Sequence, residues 1–128
     1  MRRTARPTVL IAEPDPGESL SRRKLAVESA KFNVITAHSA AEATELLVGF
    51  PNLDAVVLHA RLPGYHHIAE TLKAAHAETP LVFLLTRHSD DCDRADYRIS
   101  SHLPGELVEL LRTRFGDPRL IPSMPLPV

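Results

Sequence analysis

Side chains able to do chemistry gather in four short stretches of this chain. The first is Glu13-Pro14-Asp15-Pro16. Its two carboxylates could share a hard cation, which takes oxygen ligands, or could serve the start of a helix, where acids are favoured. The second is His59-Ala60-Arg61-Leu62-Pro63-Gly64. Its imidazole could sense pH, bind a metal or accept phosphate on nitrogen, and the plainer reading is a polar residue filling a pocket. The third is Thr86, and the fourth runs from Ser100 and Ser101 through His102 to Leu107. Seven histidines are many for 128 residues. Zn²⁺ takes imidazole and carboxylate ligands, so His59, one of His66 or His67, and Glu13 form a conceivable set. Their spacing matches no short metal motif, and a solvated histidine-rich rim (His59, His66, His67, His88, His102) is the simpler expectation. Cys92 stands in a polar run with no base beside it and reads as a plain exposed thiol. No nucleophile–base pair and no glycine-rich phosphate loop supports catalysis, so an enzyme is not expected.

The elements that must position these residues can be read from short apolar runs alternating with amphipathic segments. Val9 to Ala12, Phe32 to Thr36, Ala55 to Leu58 and Leu81 to Leu85 read as strands, with Tyr97 to Ser100 as a fifth. Ala55-Val56-Val57-Leu58 does not alternate, so both of its faces should be covered. A first helix is expected from about Gly17 to Ala30, with Leu20, Leu25 and Val27 turned inward. Ser39 and Glu42 form a capping box that opens a second helix ending near Gly49. Ile68, Leu72, Ala75 and His76 fall at helical spacing. Pro104 suits the first position of a final helix, which Gly116 and Pro118 stop. Strand–helix alternation predicts an α/β fold: an open five-stranded parallel sheet with helices on both faces. Function in such sheets sits at the carboxyl ends of the strands, where all four stretches fall.

Bulk properties narrow the classes. The length suits one domain with one core, divided as an arm over 1–6, a domain over 7–116 and a tail over 117–128 that carries four prolines. A net charge of −1 gives no footprint for nucleic acid or membrane. The apolar run after the basic start is too short for a signal peptide, and one cysteine fits a reducing compartment, so a cytoplasmic location is expected.

With these residues in place, the chain resembles the receiver domains of bacterial two-component response regulators, over roughly residues 7 to 116. Asp54 to Gly64 is similar to the family's third strand and its Leu-Pro-Gly turn, and Ser39 to Leu47 to its second helix. The resemblance implies a flavodoxin-like receiver fold and a phosphorelay role. It places Glu13 and Pro14 at the acidic pair that helps hold Mg²⁺, His59 at the phosphoacceptor aspartate, Thr86 at the switch hydroxyl, Ser100 near the lysine, and Tyr97 at the switch aromatic. In the family, charge neutralisation around a transferring phosphoryl group carries the chemistry.

The chain departs from that pattern at most of the charged positions. An imidazole cannot form an acyl phosphate, Pro14 replaces one acid, and no lysine follows Lys73. These losses imply a pseudo-receiver that signals by binding a protein partner without aspartyl phosphorylation, with Mg²⁺ binding weak or absent. The weak candidates for any metal are Glu13, Asp15 and His59. A phosphorylatable receiver with unusual site residues and a histidine-rich metal sensor are the alternatives. Only nine residues, Arg87 to Ala95, separate Thr86 from Asp96, and they lack an apolar face. The family's fourth helix is therefore expected to be short or absent. The sheet there should be less covered, with partner binding or a homodimer using 87–97 and the final helix through Leu107, Leu111 and Phe115.

Overall fold

The computed structural model describes residues 6–17, 21–50 and 52–120. Five parallel strands, β1 (Thr8–Ala12), β2 (Asn33–Ala37), β3 (Ala55–His59), β4 (Leu81–Leu85) and β5 (Tyr97–Ser100), lie in the order β2-β1-β3-β4-β5. The helices are α1 (Arg22–Ser29), α2 (Ala40–Gly49), α3 (Tyr65–Ala75) and α4 (Pro104–Phe115), followed by a 3₁₀ turn at Pro118–Leu120. The expected fold class is the observed one.

Alternation along the strands divides the core in two. Leu10, Ala12, Val56, Leu58, Leu81 and Phe83 join one cluster with Ala43 and Leu47 of α2 and Ile68 and Leu72 of α3. Val9, Ile11, Ala55, Val57, Val82 and Leu84 join the other with Val27 of α1 and Leu107 and Leu111 of α4. Successive strand residues point to opposite faces, so the uninterrupted run in β3 fills both clusters and all five of its residues are buried.

Local signals set several boundaries. Ser39 accepts from the Glu42 amide at 3.1 Å, while Glu42 reaches back to the His38 amide at 3.4 Å rather than to Ser39 itself. Gly64 precedes α3 with φ of 82°, and a Cβ there would stand 3.0 Å from the Ala40 Cβ. A left-handed backbone and this close approach both require glycine. The first helix differs from expectation. Ser21 is its N-cap, accepting from the Lys24 amide at 3.2 Å, because a short hydroxyl side chain satisfies an orphan donor that glycine cannot. Leu25 is exposed while Val27 is buried; Leu20 lies outside the described residues. On α3 the inward residues are Ile68, Ala69 and Leu72, and Ala75 is exposed.

The β4–β5 connection contains no helix, as its missing apolar face implies. The expected exposed apolar surface is nonetheless not there. Cys92 is 1 % exposed and packs in the α2–α3 cluster, so it is a core residue and not an exposed thiol. Tyr65 leans over Phe83 with ring centroids 5.0 Å apart and donates to the Asp91 carbonyl at 3.0 Å. On α4, Leu107 and Leu111 are each 1 % exposed and Phe115 is half-buried, so the proposed contact residues face the core. Past α4, Asp117 pairs with Arg119 at 2.6 Å and Pro118 is buried. Asp117 and Pro118 therefore pack on the domain, while Arg119 and Leu120 are exposed; 121–128 and 1–5 lie outside the described residues. No described helix is long and apolar enough to cross a membrane.

Candidate functional site

Register and side-chain alternation bring the first and third strand ends together. Ala12 pairs with Leu58, so Glu13 lies opposite His59. Ile11 and Val57 point to the α1–α4 face, and a period of two sends Glu13 and His59 to that same face. Both are buried, Glu13 at 1 % exposure and His59 at 7 %.

A carboxylate buried this deeply needs a partner, and α1 supplies two. Ser21 donates its hydroxyl to Glu13 Oε1 while its oxygen caps the helix. Arg23 places Nε 2.6 Å from Glu13 Oε2, and its Nη1 donates to the Ser101 carbonyl at 3.1 Å. One guanidinium therefore links the end of β1 to the turn after β5. Sequence reading missed this residue, yet a signal was present. Arg22-Arg23-Lys24 puts three cations and no acid in the first turn of α1, against the preference of the helix dipole. A basic residue kept there is a candidate to pair with an acid at the neighbouring strand end.

His59 Nδ1 accepts from the Arg61 amide at 3.0 Å. The neutral ring then carries its proton on Nε2. Burial first, and then the charge of Arg23, hold its pKa down to about 4 against the ordinary 6.5, although Glu13 pulls the other way. A neutral imidazole stands where the resemblance puts the acceptor carboxylate. The adjoining cleft, about 480 Å³, is lined by Pro14, Asp15, Arg22 and Arg61 together with Glu13, Arg23 and His59. Asp15 turns its carboxylate onto the Gly17 amide at 2.9 Å. Neither acid caps α1 itself.

The remaining expected site residues stand apart. Thr86 gives its hydroxyl to Asp90 Oδ2 at 2.8 Å, and that oxygen also takes the Thr86 and Arg87 amides at 3.0 and 2.8 Å. Tyr97 pairs with Val82, whereas Thr86 follows Leu85, the partner of Ser100. At about 3.3 Å per residue, the two lie roughly 13 Å apart along the ladder, and Tyr97 packs into the α1–α4 cluster. Ser100 accepts from the His102 amide at 3.2 Å. His66 and His67 fall in the first turn of α3 and not on a loop. No three metal-ligating side chains converge among the described residues, so the His59, His66 or His67, and Glu13 set is not assembled.

No family model and no curated protein matches the chain. Solved structures do. The non-phosphorylated receiver domain of HemR from Leptospira biflexa is 27 % identical with a TM-score of 0.68, over 95 % of this chain and all of that one. A response regulator receiver domain protein from Clostridium thermocellum is 16 % identical with a TM-score of 0.74, over 91 % and 99 %. This chain has the receiver fold. The receiver domain of the sensor histidine kinase PA1611 from Pseudomonas aeruginosa is 17 % identical with a TM-score of 0.72, over 85 % and 97 %. That receiver holds a magnesium ion in its active-site cleft. In the present receiver fold the corresponding corner contains one buried acid, already neutralised by Arg23. The residues fit a resident Mg²⁺ poorly. A hard cation wants several oxygens, and here Glu13 is occupied, Asp15 is folded onto its own turn, and His59 offers nitrogen.

Proposed function

We propose that this chain is a receiver-type signalling domain of the two-component class, acting in the cytoplasm by binding a protein partner, and that it does not pass through an aspartyl phosphate. The observation that carries this reading is the Arg23–Glu13 pair beside a neutral His59. Phosphoryl transfer to a receiver needs an acceptor carboxylate and a neutralising cation around the leaving charge. Here the acceptor position has no carboxylate, and the remaining acid is consumed internally. The protein charge that replaces the metal is permanent, since arginine does not deprotonate in proteins. The corner is therefore fixed in one electrostatic state, and any output comes from surface recognition.

Incubation with acetyl phosphate and Mg²⁺, followed by intact mass measurement, is expected to show no added phosphoryl group. Mg²⁺ alone should leave the unfolding midpoint unchanged, because a ligand that binds only the folded state would raise it. A stoichiometric, hydroxylamine-labile adduct would overturn the proposal. Affinity capture from the native cell should retain the same partner with and without the phosphodonor; retention that depends on the donor would count against it equally.

A further inference from the structure

The two edges of the sheet are finished differently. β5 carries an exposed charge: Arg98 reaches Asp91 at 3.0 Å and the Cys92 carbonyl at 2.8 Å. Charged side chains blunt an edge against further pairing. β2 has no charge and no proline from Asn33 to Ala37, and all five residues keep register with β1. The Asn33 amide donates to the Pro7 carbonyl at 2.9 Å, and the Ala37 carbonyl accepts from the Glu13 amide at 3.0 Å. Asn33, Ile35 and Ala37 therefore turn their backbone groups to β1. Val34 and Thr36 turn theirs outward, where no described strand follows. The flank above that edge is apolar. Ile35 and Leu46, both half-buried, pack against the α2–α3 cluster. On one flank of α2 lies α3, where a Gly64 Cβ would stand 3.0 Å from the Ala40 Cβ. Leu46 and Phe50, four residues apart on one stripe, lie on the opposite flank, beside β2. Phe50 is 44 % exposed.

We propose that β2 is the docking edge for a second copy of this chain, the two β2 strands pairing antiparallel about a two-fold axis at Ile35. The edge is self-complementary in that arrangement. Val34 falls opposite Thr36 of the second copy, and both are the outward-turned residues, so each pair exchanges two backbone bonds. Ile35 meets Ile35 on the α2 face, and the two Leu46–Phe50 stripes come together above them, covering the exposed apolar flank. The charges agree as well. Lys31 is exposed just before β2 and has no ion pair among the described residues. The same two-fold brings it opposite Ser39 of the second copy, at the first turn of the helix that carries the exposed Glu42. A two-fold contact makes this pairing twice. The dimer requires no phosphoryl chemistry, so it stands or falls separately from the functional reading above.

Sedimentation velocity of the full chain across a concentration series, with amide hydrogen exchange at the two ends of that series, tests the pairing. A reversible dimer is expected, and exchange at Val34 and Thr36 should slow by about tenfold or more as it forms. Phe50→Glu, at an exposed position, should weaken association by about tenfold or more, while Leu103→Glu, exposed at the start of α4, should leave it unchanged. Lys31→Glu and Glu42→Lys should each weaken it by about threefold, and the two together should restore it, which only an antiparallel contact with the second copy produces. A chain that stays monomeric at its highest soluble concentration overturns the proposal. So does a dimer in which the Val34 and Thr36 amides exchange as fast as in the monomer, or one abolished by Leu103→Glu and indifferent to Phe50→Glu. The exchange measurement uses the unaltered chain, so it decides even if a variant fails to fold.

Discussion

The two halves of the carboxyl rim are held together in opposite ways. At the β1–β3 end a buried acid and its cation hold the corner: Glu13 and His59 sit side by side at register positions, and a guanidinium enters from α1. At the β4–β5 end the connection contains no helix. There, side chains of the connection take nearby backbone and side-chain donors: Asp90 gathers three, Asp96 takes the Leu81 amide at 2.8 Å and the Lys73 ammonium at 2.7 Å, and Cys92 plugs the core. A buried charge must be balanced by another charge. A connection without a helix needs only a few polar anchors and a small apolar plug. Energetic stakes should therefore be higher at the first end.

Arg23→Ala tests that ranking most severely. It strands the Glu13 carboxylate at 1 % exposure. Breaking a buried pair by removing one partner costs about 3–5 kcal/mol, so the urea midpoint should fall by a corresponding amount with the slope unchanged. Arg23→Ala combined with Glu13→Gln should recover much of the loss, as the stranded charge disappears. A single-variant loss below about 1 kcal/mol would mean that Glu13 is effectively solvated, and the contrast between the two ends would collapse.

The next effect is pH dependence from His59. Its folded pKa, about 4, lies below the ordinary 6.5 because of burial and then Arg23. The unfolded chain therefore binds more protons between those values, and stability rises with pH across that window. This contribution is complete above about pH 6.5 and is lost as pH falls towards about 4, with a total of roughly 3 kcal/mol. His59→Asn keeps an acceptor for the Arg61 amide and cannot titrate. Subtracting its stability profile from that of the wild type should isolate a slope confined to this window. A flat difference would show that the imidazole is protonated in the folded state, with its charge balanced.

The contrast also explains what the sequence made legible. Strand positions, the final helix and the absent helix before β5 could all be read from apolar period and from nine mostly polar residues. The Glu13–His59 neighbourhood followed from strand ends alone. Arg23 could not be placed that way, because its role depends on where α1 begins, and Ser21 rather than Gly17 sets that point. Cys92 was misread for a related reason. Its sequence neighbours are polar, but they fold outward onto one another: Asp91 with Arg98 at 3.0 Å, Asp90 with Thr86. This leaves Cys92 turned to the core, with Ala95 packed against the same cluster. Local composition describes the loop's surface, and the core face that the loop crosses determines what lies beneath.

Cys92→Ser gives the smallest of these effects and the most direct view of that core face. Cys92 packs in the cluster that holds Leu81 and Phe83, and burial raises its thiol pKa. The thiol therefore stays protonated near neutrality and behaves as a small apolar group. A hydroxyl in its place loses apolar burial and brings a polar atom that needs a partner, at a cost of about 1–2 kcal/mol. The backbone anchors around it remain: the Arg98 guanidinium still reaches the residue 92 carbonyl, at 2.8 Å in the wild type, so the loss should stay below that of Arg23→Ala. Alkylation offers an independent reading. Iodoacetamide should modify Cys92 slowly in the native protein and rapidly in urea. Native-state rates close to the unfolded rate would show that the loop opens freely, and the plug would then contribute little to covering the sheet.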